Sequence, residues 1–202
     1  MKLFIKPGAG SFAPHIVLHE LGIAHEIEAV DTKAGKTASG ADFSALNPKG
    51  YIPALLLDDG TLLTEGAAIL QYLADLKPEL QLAPANGTLP RYQMQAWLNF
   101  IGTELHKYVT PFFLPGASDD WKSVARSCLE RRCVYINQEL QNRPYLMGEQ
   151  FTVADAYLFN VLNWFRFLKI DLAQWPNVAA FHARVAERPS VAAALTAEGL
   201  KR

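Results

Sequence analysis

Cysteine is scarce in this chain. Cys128 and Cys133 are the only two among 202 residues. They stand five apart in a helical stretch, so they point in different directions, and they form no Cys-x-x-Cys or metal-ligand spacing. A disulfide framework is excluded and a reducing compartment fits. Long apolar runs are also missing. Nothing approaches the ~20 residues of a membrane span, and the apolar run after Met1 is too short for a signal peptide, so a soluble cytoplasmic protein is expected. An excess of one charge is absent too: 19 Lys and Arg face 20 Asp and Glu, which argues against a general nucleic-acid footprint. The balance is uneven along the chain. Five lysines stand against nine acidic residues over positions 1–76, and thirteen basic against ten acidic residues over 90–202. There is no internal repeat and no low-complexity tract.

Half of the residues are hydrophobic, ample for a buried core and one or two domains. Lys2 to Lys6 reads as a strand stopped by Pro7-Gly8. Ser11 is a candidate N-cap for a helix over Phe12 to Leu21, with Gly22 as its stop. His25 to Val30 reads as a second strand, and positions 32–49 as loop or short helix. Pro78, Pro84, Gly87 and Pro90 mark a linker over 78–90 between domains at 1–77 and 91–202. The second domain reads as all-helical. A long amphipathic helix runs from Arg91 to about Tyr108, broken by Pro111. The next helix is capped by Asp119 or Asp120, and a capping-box-like Thr152-Val-Ala-Asp155 opens another.

The most informative stretch is Gly50 to Ile69. Ile52-Pro53 is a candidate cis peptide. Ala54 to Leu57 and Thr61 to Thr64 flank Asp59-Gly60, which predicts a hairpin. Glu65-Gly66 opens a helix whose free N–H groups and dipole attract an anion. This stretch resembles the glutathione-binding half of the glutathione transferases. With Asn47-Pro48-Lys49-Gly50, Thr103-Glu104-Leu105-His106-Lys107 and Phe151 to Tyr157, the resemblance covers the entire chain and looks most like the bacterial beta class. It implies an α/β thioredoxin-like N-terminal domain followed by an all-α helical domain. It also implies a homodimer and glutathione as co-substrate, with no metal.

The resemblance further implies roles. Ile52, before Pro53, pairs through its main chain with the ligand's cysteine. The Glu65 carboxylate receives the γ-glutamyl ammonium, and the Gly66 N–H donates to the α-carboxylate. Many classes carry serine where this chain has Gly66. The family's basic residue of the second loop is displaced, because Gly35 holds its position between Lys33 and Lys36, and either lysine is a candidate for the glycine-end carboxylate. Asn99, Thr103 and His106 fall on one helical face, His106 being able to exchange a proton with sulfur. Lys107 adds positive charge, and the resemblance sends Glu104 to the partner subunit's ligand.

The resemblance breaks at the first loop. The beta class usually places cysteine where Gly10 stands, and often tyrosine where Ile5 stands. A mixed disulfide with glutathione is then unavailable in this loop. Conjugation needs only donors that stabilise the thiolate. The Ser11 hydroxyl, or the backbone N–H groups of Gly10 and Ser11 at a helix start, are the candidates; the alternative for Ser11 is a plain cap. Phe112, Phe113, Trp164, Phe165 and Phe167 are candidate walls of an electrophile pocket between the domains. His15, His19, His25 and His182 show no partner pattern and read as surface or structural. The expected activity is transfer of glutathione to small hydrophobic electrophiles, with redox thioltransferase chemistry lost. The alternative is a protein that binds glutathione or hydrophobic ligands with little catalysis.

Overall fold

The computed structural model describes residues 1–200. The chain divides into two compact units. One takes Met1–Gln81 together with the chain from Glu187 onward, and the other takes Leu82–Ala186.

In the first unit, β1 (Lys2–Ile5), α1 (Phe12–Leu21) and β2 (Glu26–Asp31) form a parallel strand pair with a helical crossover. A two-residue β3 (Lys36–Thr37) and a one-turn α2 (Phe43–Leu46) occupy the stretch read as loop or short helix. β4 (Ala54–Leu56) and β5 (Leu62–Thr64) then form the predicted hairpin, and α3 (Gly66–Asp75) follows. The sheet order is β3-β2-β1-β4-β5, mixed as expected. Alternate residues of a strand face opposite sides. Phe4, Val30, Phe43 and Ala54 accordingly form one buried cluster on the α2 side, while the intervening Leu3, Ile5 and Leu55 are buried as well. Gly22 ends α1 in the left-handed region at φ 59, a backbone that glycine adopts without a Cβ penalty.

The last helix, α9 (Pro189–Ala197), packs against α1. This differs from a boundary that gives everything after 91 to the helical domain. Two long-range polar contacts join this helix to α1. Arg188 donates from Nε and a terminal nitrogen to Glu20 at 2.6 and 2.8 Å, a bidentate fork, and buried Glu198 meets His15 Nδ1 at 2.8 Å.

The second unit holds α4 (Leu89–Phe100), α5 (Lys107–Phe113), α6 (Asp119–Glu139), α7 (Val153–Asn163) and α8 (Pro176–Ala186). The predicted long helix is interrupted: Ile101–His106 is a π-helical turn between α4 and α5. Pro111 lies inside α5 rather than ending it. The helix loses one bond there and continues because Val109 and Pro111 are buried. Ser118, not an aspartate, caps α6, accepting from the Trp121 N–H at 3.2 Å, while Asp119 and Asp120 fill the first turn. The Thr152–Asp155 capping box is present. The buried Asp155 carboxylate accepts from the Thr152 N–H at 2.8 Å, its hydroxyl at 2.9 Å and the Leu146 N–H at 2.8 Å. Cys128 and Cys133 are both free and buried on α6.

Candidate functional site

Three segments of the first unit carry its predicted site residues. The loop before α1 folds on itself: the Ala9 N–H donates to the Lys6 carbonyl at 2.9 Å and the Phe12 N–H to the Ala9 carbonyl at 3.0 Å. Ser11 is fully buried. Its hydroxyl donates to the Lys6 carbonyl at 3.3 Å and accepts the Lys6 N–H at 3.2 Å. It makes no capping bond to α1. The capping reading of the Ser11 side chain is therefore corrected, since the hydroxyl closes the loop on Lys6. The backbone N–H groups of Gly10 and Ser11 have no acceptor among the described residues.

The second segment precedes β4. The Ile52-Pro53 peptide is cis. Ile52 is half-buried, lies just outside β4, and neither its N–H nor its C=O has a partner among the described residues. The Asn47 amide donates to the Tyr51 carbonyl at 2.8 Å and holds this approach in place.

Glu65 is the third. It adopts φ 70 and ψ 114, a backbone costing a non-glycine residue on the order of 1–3 kcal/mol and typical of ligand clamps. Its carbonyl accepts the N–H groups of Ala68 and Ile69 at 3.0 and 2.9 Å. The N–H groups of Gly66 and Ala67 are left without an acceptor among the described residues. The result is the anion-attracting helix start the sequence predicts. On the side chain, Lys49 Nζ and the Tyr51 hydroxyl both donate to Oε1 at 2.7 Å. The Lys49 ammonium, then the Tyr51 hydroxyl, hold the carboxyl below the usual carboxylate range. Glu65 Oε2 carries no partner among the described residues. Sequence reasoning did not assign Lys49 or Tyr51 to the site, although Lys49 stood within a quoted motif. Their distance of about fifteen positions from Glu65 is closed only by the hairpin.

Lys33 and Lys36 are exposed on the β2–β3 turn and on β3, with Lys33 in electrostatic reach of Asp31. Gly35 between them is required. Its φ is 66, and a Cβ there would sit 2.3 Å from Ser44 Oγ.

In the second unit, Asn99, Thr103 and Lys107 are exposed. The Thr103 hydroxyl donates to the Asn99 carbonyl at 3.0 Å. The π turn breaks the regular 3.6-residue spacing on which the single polar face rested. Glu104 is taken by Arg132 of α6, at 2.7 Å from Nε. His106 is half-buried with Nδ1 2.8 Å from the Tyr157 hydroxyl, and its ring meets Trp164 edge-on at 4.7 Å. Burial first, and Lys107 second, lower its pKa to about 4, so the imidazole is neutral at pH 7. Tyr157, a sequence-motif residue not assigned to the site, is thus the contact that orients His106. Of the aromatic candidates, Phe165 is fully buried and Trp164 nearly so. Phe113 and Phe167 are exposed and meet edge-on at 6.1 Å. A groove of about 500 Å³ elsewhere in this unit, lined by Trp97, Phe100 and Tyr135, contains none of the predicted site residues.

The cis proline beside an unpaired backbone and the strained acidic residue at a helix start lie in the first unit, and the half-buried histidine on a π turn lies in the second. The glutathione S-transferase N-terminal domain matches residues 11–76 and the C-terminal domain residues 104–189. The chain belongs to the glutathione S-transferase family. It is 50% identical to glutathione S-transferase GstA of Escherichia coli O157:H7, over 100% of both chains. It superposes with a TM-score of 0.96 on a bacterial beta-class glutathione S-transferase of Sphingomonas chungbukensis, at 47% identity over 100% of both. A sphingomonad glutathione S-transferase complexed with glutathione gives 0.95 at 46% identity, again over 100% of both. No described helix is long and apolar enough to cross a membrane.

Proposed function

We propose that this chain binds reduced glutathione and conjugates it to small hydrophobic electrophiles, with no protein thiol in the chemistry. The observation that carries the reading is Glu65. Its free Oε2 suits the γ-glutamyl ammonium, and the open N–H groups of Gly66 and Ala67 suit the adjacent carboxylate. The unpaired Ile52 backbone suits the peptide part of the tripeptide. Lys33 or Lys36 serves the glycine-end carboxylate. The thiolate attacks the electrophilic carbon; the S–C bond forms as the leaving group departs with its electron pair. Backbone N–H groups of Gly10 and Ser11 stabilise the thiolate in place of the Ser11 hydroxyl. His106 acts as a neutral hydrogen-bonding group through Nε2, because Nδ1 is engaged by Tyr157 and its low pKa rules out a standing cation. Asn99, Thr103 and Lys107 contribute polar contacts, and exposed Phe113 and Phe167 offer the electrophile an apolar surface.

The closed Ser11 hydroxyl favours a second reading, a glutathione- or hydrophobic-ligand-binding protein with little turnover. Calorimetric titration with reduced glutathione in two buffers of different ionisation heat, followed by a conjugation assay with a reactive aromatic halide, separates the two. Binding with proton release and turnover supports the transferase. Binding without either supports the carrier.

A cytoplasmic homodimer is part of the same proposal. Exposed Leu89 and Tyr92 on α4 and Val134 and Tyr135 on α6 support self-association, and Glu104 would serve the partner's ligand only on leaving Arg132. A sedimentation run showing only monomer removes it.

A further inference from the structure

His15, His19 and His25, read from the sequence as unrelated, come together in the first unit. We propose that these three side chains form a binding site for a first-row divalent metal ion, Zn²⁺ foremost. The local sequence makes the cluster. His15 and His19 are four apart on α1 and share a face. Gly22 then ends the helix in the left-handed conformation, and the chain doubles back to bring His25 over the same face just before β2. The three rings pack at centroid distances of 4.9, 5.4 and 5.1 Å. One ring nitrogen from each can be chosen so that all three lie within 4.8 Å of one another.

The hydrogen bonds select which nitrogens are free. His15 Nδ1 donates to the Glu198 carboxylate at 2.8 Å, leaving the Nε2 lone pair toward the cluster. His25 Nδ1 donates to the Ile23 carbonyl at 2.7 Å, again leaving Nε2. A carboxylate or a carbonyl on the far nitrogen is the outer contact that metal-bound histidines use to set tautomer and ring orientation. His15 Nε2 accepts a hydrogen bond from His19 Nε2 at 3.2 Å, so His19 would shift its proton to Nδ1 on taking up the ion. Two nitrogens at about 2.0–2.1 Å from one tetrahedral ion are separated by roughly 3.3–3.4 Å.

Three imidazoles suit zinc and its first-row neighbours and not magnesium or calcium, which take oxygen ligands. His15 is fully buried while His19 and His25 are half-exposed, which leaves the fourth position open to water. The ion would tie α1 to the segment entering β2 and, through Glu198, to α9. This site is separate from the residues assigned to glutathione.

The test is calorimetric titration of the untagged, chelator-stripped full chain with Zn²⁺, paired with visible spectra after Co²⁺ addition. One ion per chain and the absorption of a tetrahedral nitrogen-ligated cobalt are expected. His19→Ala and His25→Ala, at half-exposed positions that leave the fold intact, should each weaken binding at least tenfold. Zn²⁺ should raise the melting temperature of the parent protein and not of these variants. His182→Ala, whose ring meets Asn163 outside the cluster, should bind as the parent does. Absence of stoichiometric uptake, or uptake that survives both His19→Ala and His25→Ala undiminished, overturns the proposal.

Discussion

Lys49 Nζ lies 2.7 Å from Glu65 Oε1, across a hairpin that separates the two in sequence. The pair is half-exposed on both sides, so its direct worth to stability is small. Its consequence is positional, because one carboxylate oxygen is occupied and the other is held open. Glu65→Gln keeps the shape and removes the charge. A hydrogen bond to a charged group contributes about 1.5–3 kcal/mol, so kcat/KM for glutathione should fall roughly 10- to 100-fold. Lys49→Met only loosens the carboxylate and should raise KM two- to fivefold, on the scale of about 0.2–1 kcal/mol for exposed pairs. Steady-state kinetics with varied glutathione check both, and a Glu65→Gln enzyme of unchanged KM would sink the assignment.

Ser11→Ala should affect folding and leave the chemistry intact. The hydroxyl is buried and exchanges two hydrogen bonds with Lys6. Losing it leaves the Lys6 N–H without its acceptor, while the Lys6 carbonyl keeps the Ala9 N–H, a cost of about 1 kcal/mol. Urea unfolding should register that loss, while turnover per folded molecule stays within twofold. A tenfold drop in turnover at unchanged stability would restore the hydroxyl to the reaction.

His106 makes stability depend on pH in a definite direction. Its folded pKa is about 4, against about 6.5 in an unfolded chain. Between those values the unfolded chain holds the proton and the folded protein does not, so stability falls as pH drops from 6.5 toward 4. Above pH 6.5 this group contributes no slope. The effect is at most on the order of 3 kcal/mol. Burial lowers His182 as well, so the informative quantity is the difference between proteins. His106→Gln should lose less stability between pH 7 and pH 4.5 than the parent does. Equal losses in urea titrations would show that the imidazole titrates normally.

What was legible in the sequence was what local chemistry specifies. Gly22, Asp59-Gly60, Ile52-Pro53 and Thr152-Asp155 each carry their own backbone instruction, and the turns, caps and cis peptide stand where these residues put them. Glu65 was singled out by its resemblance to the family's γ-glutamyl-binding residue, at a helix start after a hairpin. The contacts of Glu65 were not, because Lys49 and Tyr51 reach it only when the sheet forms. The π turn at Ile101–His106 defeats a 3.6-residue period without any proline to announce it. The placement of α9 depends on Glu20 meeting Arg188 and His15 meeting Glu198 across the length of the chain. The histidine cluster did have a local signal in the four-residue spacing of His15 and His19, completed by the turn at Gly22.

Gly66 offers a gain of function. It opens α3 with a free N–H, and it is not a glycine by steric need. Its φ is not in the left-handed region, and a Cβ there would meet Pro53 Cγ at 3.7 Å, an ordinary contact. A serine fits, and its hydroxyl would stand at the helix start where the ligand carboxylate is proposed to bind. One added hydrogen bond to a charged acceptor is worth about 1.5 kcal/mol at the lower end of its range, so Gly66→Ser should lower KM for glutathione roughly three- to tenfold. The substitution also removes a flexible residue from the unfolded chain, which adds up to about 1 kcal/mol of stability. Calorimetry with glutathione and a thermal melt report the two effects separately. Unchanged affinity in a stabilised Gly66→Ser protein would mean that the carboxylate binds away from the start of α3.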